Sequence, residues 1–151
     1  MKTVKRTNSD DKDFKTLIAE LDKDLKGRYG SKQLEYDQYN VIEDLETVVV
    51  VYNNKEPIGC GCFKKFDSHG VEIKRMFISA NERRKGIGVL IMVELEKWAV
   101  ESGFKNMVLE TGTEQPEAVH LYKKLGFNII PCYGPYIGNE EFSICMKKSI
   151  I

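Results

Sequence analysis

An α+β fold, with a mixed and mostly antiparallel central sheet flanked by helices, is what this sequence predicts, and three observations lead there. Apolar, β-branched runs at Thr47–Tyr52, Ile58–Phe66 and Val71–Ile78 follow one another across short turn-type clusters, as strands joined by hairpins do. One long stretch, Ile87–Ala99, instead carries its apolar residues at gaps of three and four. Further short strand-like runs and a second helical stretch then alternate to the end, with no repeat, low-complexity tract or linker between them.

A chain of 151 residues is long enough for one sizeable core, and a single domain over residues 1–151 is expected. The hydrophobic share of 42% and charged share of 30% are those of an ordinary globular protein. A formal net charge of +0 argues against wholesale nucleic-acid binding, which relies on a surplus of Lys and Arg, while leaving room for a local basic pocket. The segment Met1–Thr7 leads into polar Asn8–Asp11 without the apolar core of a signal peptide, and no run approaches the roughly 18 apolar residues of a membrane span. A cytoplasmic protein with no membrane partner is therefore expected. In such a compartment Cys60, Cys62, Cys132 and Cys145 read as reduced, core-type residues, and no metal is expected, since His69 and His120 stand in no ligand-like spacing.

The elements are expected in this order. After a short strand at Thr3–Thr7, Ser9-Asp10-Asp11 offers capping oxygens to a helix whose apolar face is Phe14, Leu17, Ile18, Leu21 and Leu25, with Gly27 as its stop. Lys32–Tyr39 suggests a second short helix. Thr47–Tyr52 is a buried strand, Asn53–Pro57 its hairpin turn and Ile58–Phe66 its partner. Asp67–Gly70 turns the chain into the strand Val71–Ile78. The long helix buries Ile87, Leu90, Ile91, Leu95, Trp98 and Ala99 and ends at Gly103. Asn106–Glu110 is a further strand. Pro116 suits the first turn of the last helix, which carries Val119, Tyr122 and Leu125 and stops at Gly126. Ile129-Ile130 and Phe142–Met146 close the sheet.

Chemistry concentrates at Arg83-Arg84-Lys85-Gly86-Ile87-Gly88, between a strand and the head of the long helix. The first turn of a helix presents unpaired N–H groups and the positive end of the macrodipole, so an anion placed there gains hydrogen bonds and field together. Gly86 and Gly88 remove Cβ atoms that would hold a phosphate away from the backbone, and Arg83, Arg84 and Lys85 add charge beside it. The plainer reading is a solvated basic turn with two glycines that only cap and pack. A P-loop is absent, and a dinucleotide fingerprint would need glycine where Ile91 stands.

What remains, R-x-x-G-x-G after a strand and before an amphipathic helix, resembles the acetyl-CoA-binding motif of the GNAT N-acetyltransferases, whose form is Q/R-x-x-G-x-G/A. Leu109-Glu110-Thr111-Gly112 and Ala118–Phe127 resemble that family's next strand and its A-x-x-L-Y-x-x-x-G-F helix. The resemblance covers essentially the whole chain, with Thr3–Asn40 matched only in layout. It implies that the backbones of Met76, Phe77 and Ile78 run beside the pantetheine of acetyl-CoA, and that the amides of Arg84, Lys85, Gly86, Ile87, Gly88 and Val89, with Arg83 alongside, hold the pyrophosphate. Ala118 and Tyr122 would border the same cofactor. Many members carry Asn at the start of the last helix, where this chain has Gln115-Pro116-Glu117, so Gln115 would take over that polar contact.

The resemblance further implies an N-acetyltransferase that moves the acetyl group of acetyl-CoA directly to a primary amine: a peptide, an amino acid or a small amine. Such transfer needs a base, because a lysine amine has a pKa of about 10.4 and an α-amine about 8. Glu72 stands where the histone-acetylating branch of the family carries its catalytic Glu; the plainer reading is an exposed strand carboxylate paired with Lys74. Tyr122 would supply the proton for the departing thiolate; the plainer reading is a core aromatic on the stripe with Val119 and Leu125. A backbone N–H of Phe77 or Ile78 would face the oxyanion. A covalent acyl-enzyme on cysteine is not required by direct transfer. The acceptor is expected between the early helices, Leu25–Tyr39, and the loop Tyr133–Phe142. Asp22, Asp24, Glu35, Asp37, Glu43, Asp44 and Glu46 there suggest a cationic amine, or else a plain solvated surface. Two other readings stand beside this one: a CoA or acetyl-CoA sensor without turnover, and a nucleotide-binding protein unrelated to acetyl transfer. The sequence leaves the oligomeric state open, a homodimer among the options.

Overall fold

A computed structural model describes residues 1–29 and 45–151. Its elements are strand β1 (Lys2–Thr7), helix α1 (Lys12–Tyr29), strands β2 (Val48–Asn53), β3 (Glu56–Lys65) and β4 (Gly70–Ile78), helix α2 (Ile87–Glu101), strand β5 (Asn106–Gly112), helix α3 (Pro116–Lys124), and strands β6 (Asn128–Ile130) and β7 (Ser143–Ser149). Single turns of 3₁₀-helix lie at Ala80–Glu82 and Gly134–Tyr136. The strands form one seven-stranded sheet in the order β1-β2-β3-β4-β5-β7-β6. β1/β2, β2/β3, β5/β7 and β6/β7 are antiparallel, whereas β4 and β5, joined through α2, are parallel. The expected mixed, mostly antiparallel α+β fold is what the chain adopts.

The contacts group into two compact units, Met1–Phe63 with Lys74–Leu95, and Lys64–Ile73 with Glu96–Ile151. In the first, Phe14, Leu17, Ile18 and Leu21 of α1 pack in one cluster with Val48, Val50, Cys60, Cys62 and Phe77. The alternate residues Val49 and Val51 are also fully buried, which explains why Val48–Val51 reads as an unbroken apolar run and not as an alternation. Gly61 of β3 shows how closely the neighbouring elements approach: a Cβ there would meet the Met76 sulfur, Ile91 Cγ2 at 2.8 Å and Leu95 Cδ1 at 3.2 Å. Along α2, Ile87, Ile91, Leu95 and Ala99 are buried as the spacing predicts, but Leu90 is exposed and Met92 takes the buried place.

The cap of α1 comes from the expected cluster. Asp11 Oδ1 accepts the amides of Asp13 at 2.9 Å and Phe14 at 3.0 Å, and its other oxygen lies 2.7 Å from Lys5 Nζ. Asp11→Ala is therefore expected to cost about 1–2 kcal/mol in urea unfolding while acetyl-CoA affinity stays within about twofold; an unchanged unfolding midpoint would remove Asp11 as the cap. Gly27 does not stop the helix, which continues to Tyr29: the glycine keeps helical backbone and does not enter the left-handed region that ends helices. The suggested second helix at Lys32–Tyr39 lies outside the described residues.

In the second unit, β4 pairs with β5 from Gly70 opposite Asn106 to Ile73 opposite Leu109, and β5 pairs with β7 along its whole length. Asp67 Oδ1 accepts the amides of His69 and Gly70, closing the turn the sequence placed there. Met107, Val108, Leu109, Phe127, Cys145 and Met146 are buried, and Lys148 Nζ meets Glu96 Oε1 at 2.6 Å.

Candidate active site

The loop between β4 and α2 lies in the first unit. Within β4, Arg75 holds the left-handed backbone at φ 58, unusual inside a strand, and its guanidinium meets Asp22 Oδ1 of α1 at 2.9 Å. Met76 and Ile78, half-buried, and Phe77, buried, follow this distortion. Arg83 folds back over the strand end: its Nε donates to the Ile78 carbonyl at 3.0 Å, its guanidinium lies 5.9 Å from the Phe77 ring centre, and Asp24 is 3.7 Å away. Lys85 reaches Glu82 at 3.4 Å, while Arg84 is exposed on a left-handed backbone at φ 66.

Gly86, at φ 80, begins the helix. Its carbonyl accepts the Leu90 amide at 3.2 Å, which makes it the N-cap and puts Ile87, Gly88 and Val89 in the first turn. A glycine cap offers no side-chain oxygen to those amides. A Cβ at Gly86 would have no atom within 4 Å, so open space lies where a capping side chain would normally sit. Ile87 is buried and anchors the turn from beneath. Bare first-turn amides, a cap without a competing acceptor and neighbouring basic residues fit a pyrophosphate.

The second unit carries the groups suited to proton transfer. Tyr122 is buried on α3, edge-on to Phe127 with ring centres 5.8 Å apart, and none of the described residues hydrogen-bonds its hydroxyl. Burial, and secondarily the charge of Glu110, push the phenol above its ordinary pKa, so it keeps its proton at neutral pH. The Gln115 carbonyl accepts the Ala118 amide at 3.0 Å at the start of α3, but its side chain does not cap the helix; the side-chain oxygen accepts the Gly112 amide at 3.2 Å and braces the turn from β5. Ala118, one turn before Tyr122, is half-buried.

Glu72 is not the exposed strand carboxylate of the plainer reading. It is only 5% exposed, and Tyr133 donates its hydroxyl to Glu72 Oε2 at 2.8 Å. Strand alternation alone could not show this, because the covering residue lies 61 positions away in the loop between β6 and β7. The sequence places Tyr133 only at the start of the loop expected to frame the acceptor; nothing in Tyr133-Gly134-Pro135-Tyr136 marks it as a partner of Glu72.

None of the four cysteines is in a disulfide. Burial pushes the Cys60 thiol well up, and burial with Cys132 alongside pushes Cys145 up to about 12, so neither is a thiolate nucleophile. Among the described residues no cluster of three or more His, Cys, Asp or Glu side chains comes together, and no helix is long and apolar enough to cross a membrane. Of the acids expected at the acceptor mouth, Glu35, Asp37, Glu43 and Asp44 lie outside the described residues. Asp22 and Asp24 face Arg75 and Arg83, and Glu46 is exposed.

Comparison with known proteins places the chain in a family. The pattern of the Acetyltransferase (GNAT) family matches residues 14–127. An IAA acetyltransferase of Azospirillum brasilense is 32% identical over 143 residues, covering 89% of this chain and 88% of that protein. A Klebsiella pneumoniae structure assigned to the acyl-CoA N-acyltransferases superposes with TM-score 0.82 at 26% identity over 100% of this chain and 99% of that one. A GNAT acetyltransferase from Elizabethkingia anophelis, crystallised with acetyl-CoA bound, shares the fold at TM-score 0.68 and 21% identity over 98% of this chain and 97% of its own. Fold and family match thus define an acyltransferase. The chain belongs to the GNAT family; it is an acetyltransferase, and acetyl-CoA is its co-substrate.

Proposed function

We propose that this acetyltransferase passes the acetyl group directly to a primary amine of a peptide, an amino acid or a small amine, preferring one that carries positive charge. The observation that carries the amine reading is Glu72, a buried carboxylate held at 2.8 Å by a phenol. A hydroxyl acceptor needs its proton removed only as the new bond forms, whereas an ammonium must lose one before its nitrogen can attack, so a dedicated base is of most use to an amine. Family position supports Glu72 in that role, directly or through one water.

The other roles follow the chemistry of each group. The amides from Arg84 to Val89 bind the pyrophosphate, Arg83 and Lys85 add charge, and the backbone of Met76–Ile78 binds the pantetheine; Gln115 and Ala118 are the further residues assigned to this cofactor. The N–H of Phe77 or Ile78 stabilises the oxyanion. The acceptor ammonium first gives one proton to Glu72, which passes it to solvent. As the C–N bond forms and the C–S bond breaks, the nitrogen's second proton passes to Glu72 and on to solvent, while the Tyr122 hydroxyl gives its proton to sulfur and is reprotonated from solvent. Because Tyr122 is a weaker acid than a free phenol, this donation is concerted with thiolate departure. A single domain over residues 1–151 is supported by the family match, which runs through both compact units. A cytoplasmic location is supported by four cysteines outside any disulfide.

Thermal unfolding with CoA, acetyl-CoA, ATP and NAD tests the ligand, and turnover with amines against alcohols tests the acceptor. At about a hundred times the dissociation constant, acetyl-CoA is expected to raise the midpoint by roughly 5–10 °C, with no shift from ATP or NAD. Binding without turnover of any amine would instead establish the sensor, and faster acetylation of alcohols than of amines would overturn the amine reading.

A further inference from the structure

We propose that Tyr133 is a positioning residue for Glu72: its hydroxyl fixes the carboxylate in the orientation from which it takes the acceptor's proton, and it affects turnover only through that carboxylate. The inference rests on the reading of Glu72 as base.

A glutamate has three side-chain torsions, and on a strand its carboxylate can swing through several positions. Burial alone does not choose among them. A base must lie within hydrogen-bond reach of the proton it removes, so an unheld carboxylate would spend much of its time misaligned. Tyr133 supplies a constraint of this kind, donating its hydroxyl to one oxygen, Oε2, at 2.8 Å. The phenol is itself pinned. Its ring is edge-on to Phe66, with centres 4.9 Å apart at 68°, and to Tyr136, with centres 5.7 Å apart at 86°. Tyr136 is 1% exposed, and its amide donates to the Tyr133 carbonyl at 3.0 Å, so the 3₁₀ turn and the ring move as one piece. The preceding residue is tied to β7 by Cys132 Sγ, 3.6 Å from the Ser143 carbonyl.

Tyr133 is also the right kind of donor. Burial, and then the charge of Glu72, raise its pKa well above that of a free phenol, with Cys145 and Tyr136 contributing in the same direction. It therefore remains a donor throughout the range in which the enzyme would operate and does not exchange roles with the carboxylate. A serine or a water could make the same bond, but neither brings a ring that packed neighbours can hold.

The test is a double-variant cycle, with Tyr133→Phe keeping the ring and its packing while removing the hydroxyl. Acetyl transfer is followed at saturating acetyl-CoA in single turnovers. The probe is whichever of spermidine, lysine methyl ester and trialanine the wild type acetylates fastest. Glu72→Gln is expected to lower the rate by about 10²–10⁴-fold. Tyr133→Phe should lower it by roughly ten- to a hundredfold with the KM for acetyl-CoA unchanged, the size expected of a misplaced reacting group. In the double variant the rate should match that of Glu72→Gln alone, because a residue that acts through Glu72 has nothing left to act on. Losses that multiply would show that Tyr133 works independently of Glu72 and would overturn the inference while leaving the base in place. A Glu72→Gln enzyme with wild-type rate would remove the base and the inference together. Crystal structures of wild type and Tyr133→Phe decide the point without any acceptor: a Glu72 carboxylate that keeps its place without the phenol overturns the positioning role.

Discussion

Gly86→Asp is expected to weaken CoA binding by at least a hundredfold while leaving the fold intact. The substitution is a clean one for packing because no atom of the described residues lies within 4 Å of the added Cβ. The backbone at φ 80 disfavours a side chain, but Asp and Asn tolerate the left-handed region better than other residues. Asp is also a strong N-cap. Its carboxylate would take the amides of Gly88 and Val89 for itself, and it would put a negative charge where the pyrophosphate belongs. Losing two charge-assisted hydrogen bonds of about 1.5–3 kcal/mol each amounts to roughly 10²–10⁴ in affinity. Gly88→Asp is the poorer test, since Gly88 is buried within the first turn of α2 and a carboxylate there also threatens folding. Calorimetric titration with CoA on a Gly86→Asp protein of wild-type circular dichroism decides the matter; undiminished affinity would take the pyrophosphate away from this loop.

That loop was legible in the sequence because everything that makes it is local. A strand, two glycines two positions apart, three basic residues and a helix of regular spacing follow one another without a break from Gly70 to Glu101, and cap formation depends on nothing further away. The same holds for the Asp11 cap and the Asp67 turn, where donor and acceptor lie within three residues. Tyr122 was legible as a residue through the family pattern, but its burial and the absence of a hydroxyl partner among the described residues belong to the folded chain.

Other features depend on distant contacts, which composition and spacing do not encode. Glu72 reads as an exposed carboxylate until Tyr133 is brought over it from 61 positions away. Leu90 and Met92 exchange burial because the face that α2 turns inward is set by neighbours such as Gly61, where close approach of Ile91 and Leu95 fixes the helix rotation. Arg75 shows no sign of its left-handed backbone in Val71–Ile78, a run whose letters all suit an extended strand; the distortion accompanies its ion pair with Asp22, 53 positions back. Asp22 and Asp24 read from the sequence only as acid on the acceptor side; that each lies against an arginine, Arg75 at 2.9 Å and Arg83 at 3.7 Å, belongs to the folded chain.

Tyr122→Phe is expected to lower kcat by about 10²–10⁴-fold with acetyl-CoA affinity nearly unchanged, as general-acid assistance usually contributes. The ring keeps its edge-on contact with Phe127, so packing survives. Because none of the described residues hydrogen-bonds the hydroxyl, removing it costs no known protein contact, and stability should change by less than about 1 kcal/mol. A core tyrosine gives the opposite signature, with turnover intact. Burial sharpens the contrast. The raised pKa makes Tyr122 a poor acid in isolation, so its donation is useful only where negative charge is growing on sulfur, and the same dry surroundings strengthen that one hydrogen bond. The loss should therefore appear in the acetyl-transfer step and not in binding. It should also shrink with an acetyl thioester whose leaving thiol is more acidic, because a better leaving group needs less help. Measuring kcat, CoA affinity and unfolding midpoint on one preparation, with transfer shown to limit the rate, separates the two roles. Wild-type turnover by Tyr122→Phe under those conditions removes Tyr122 from the mechanism.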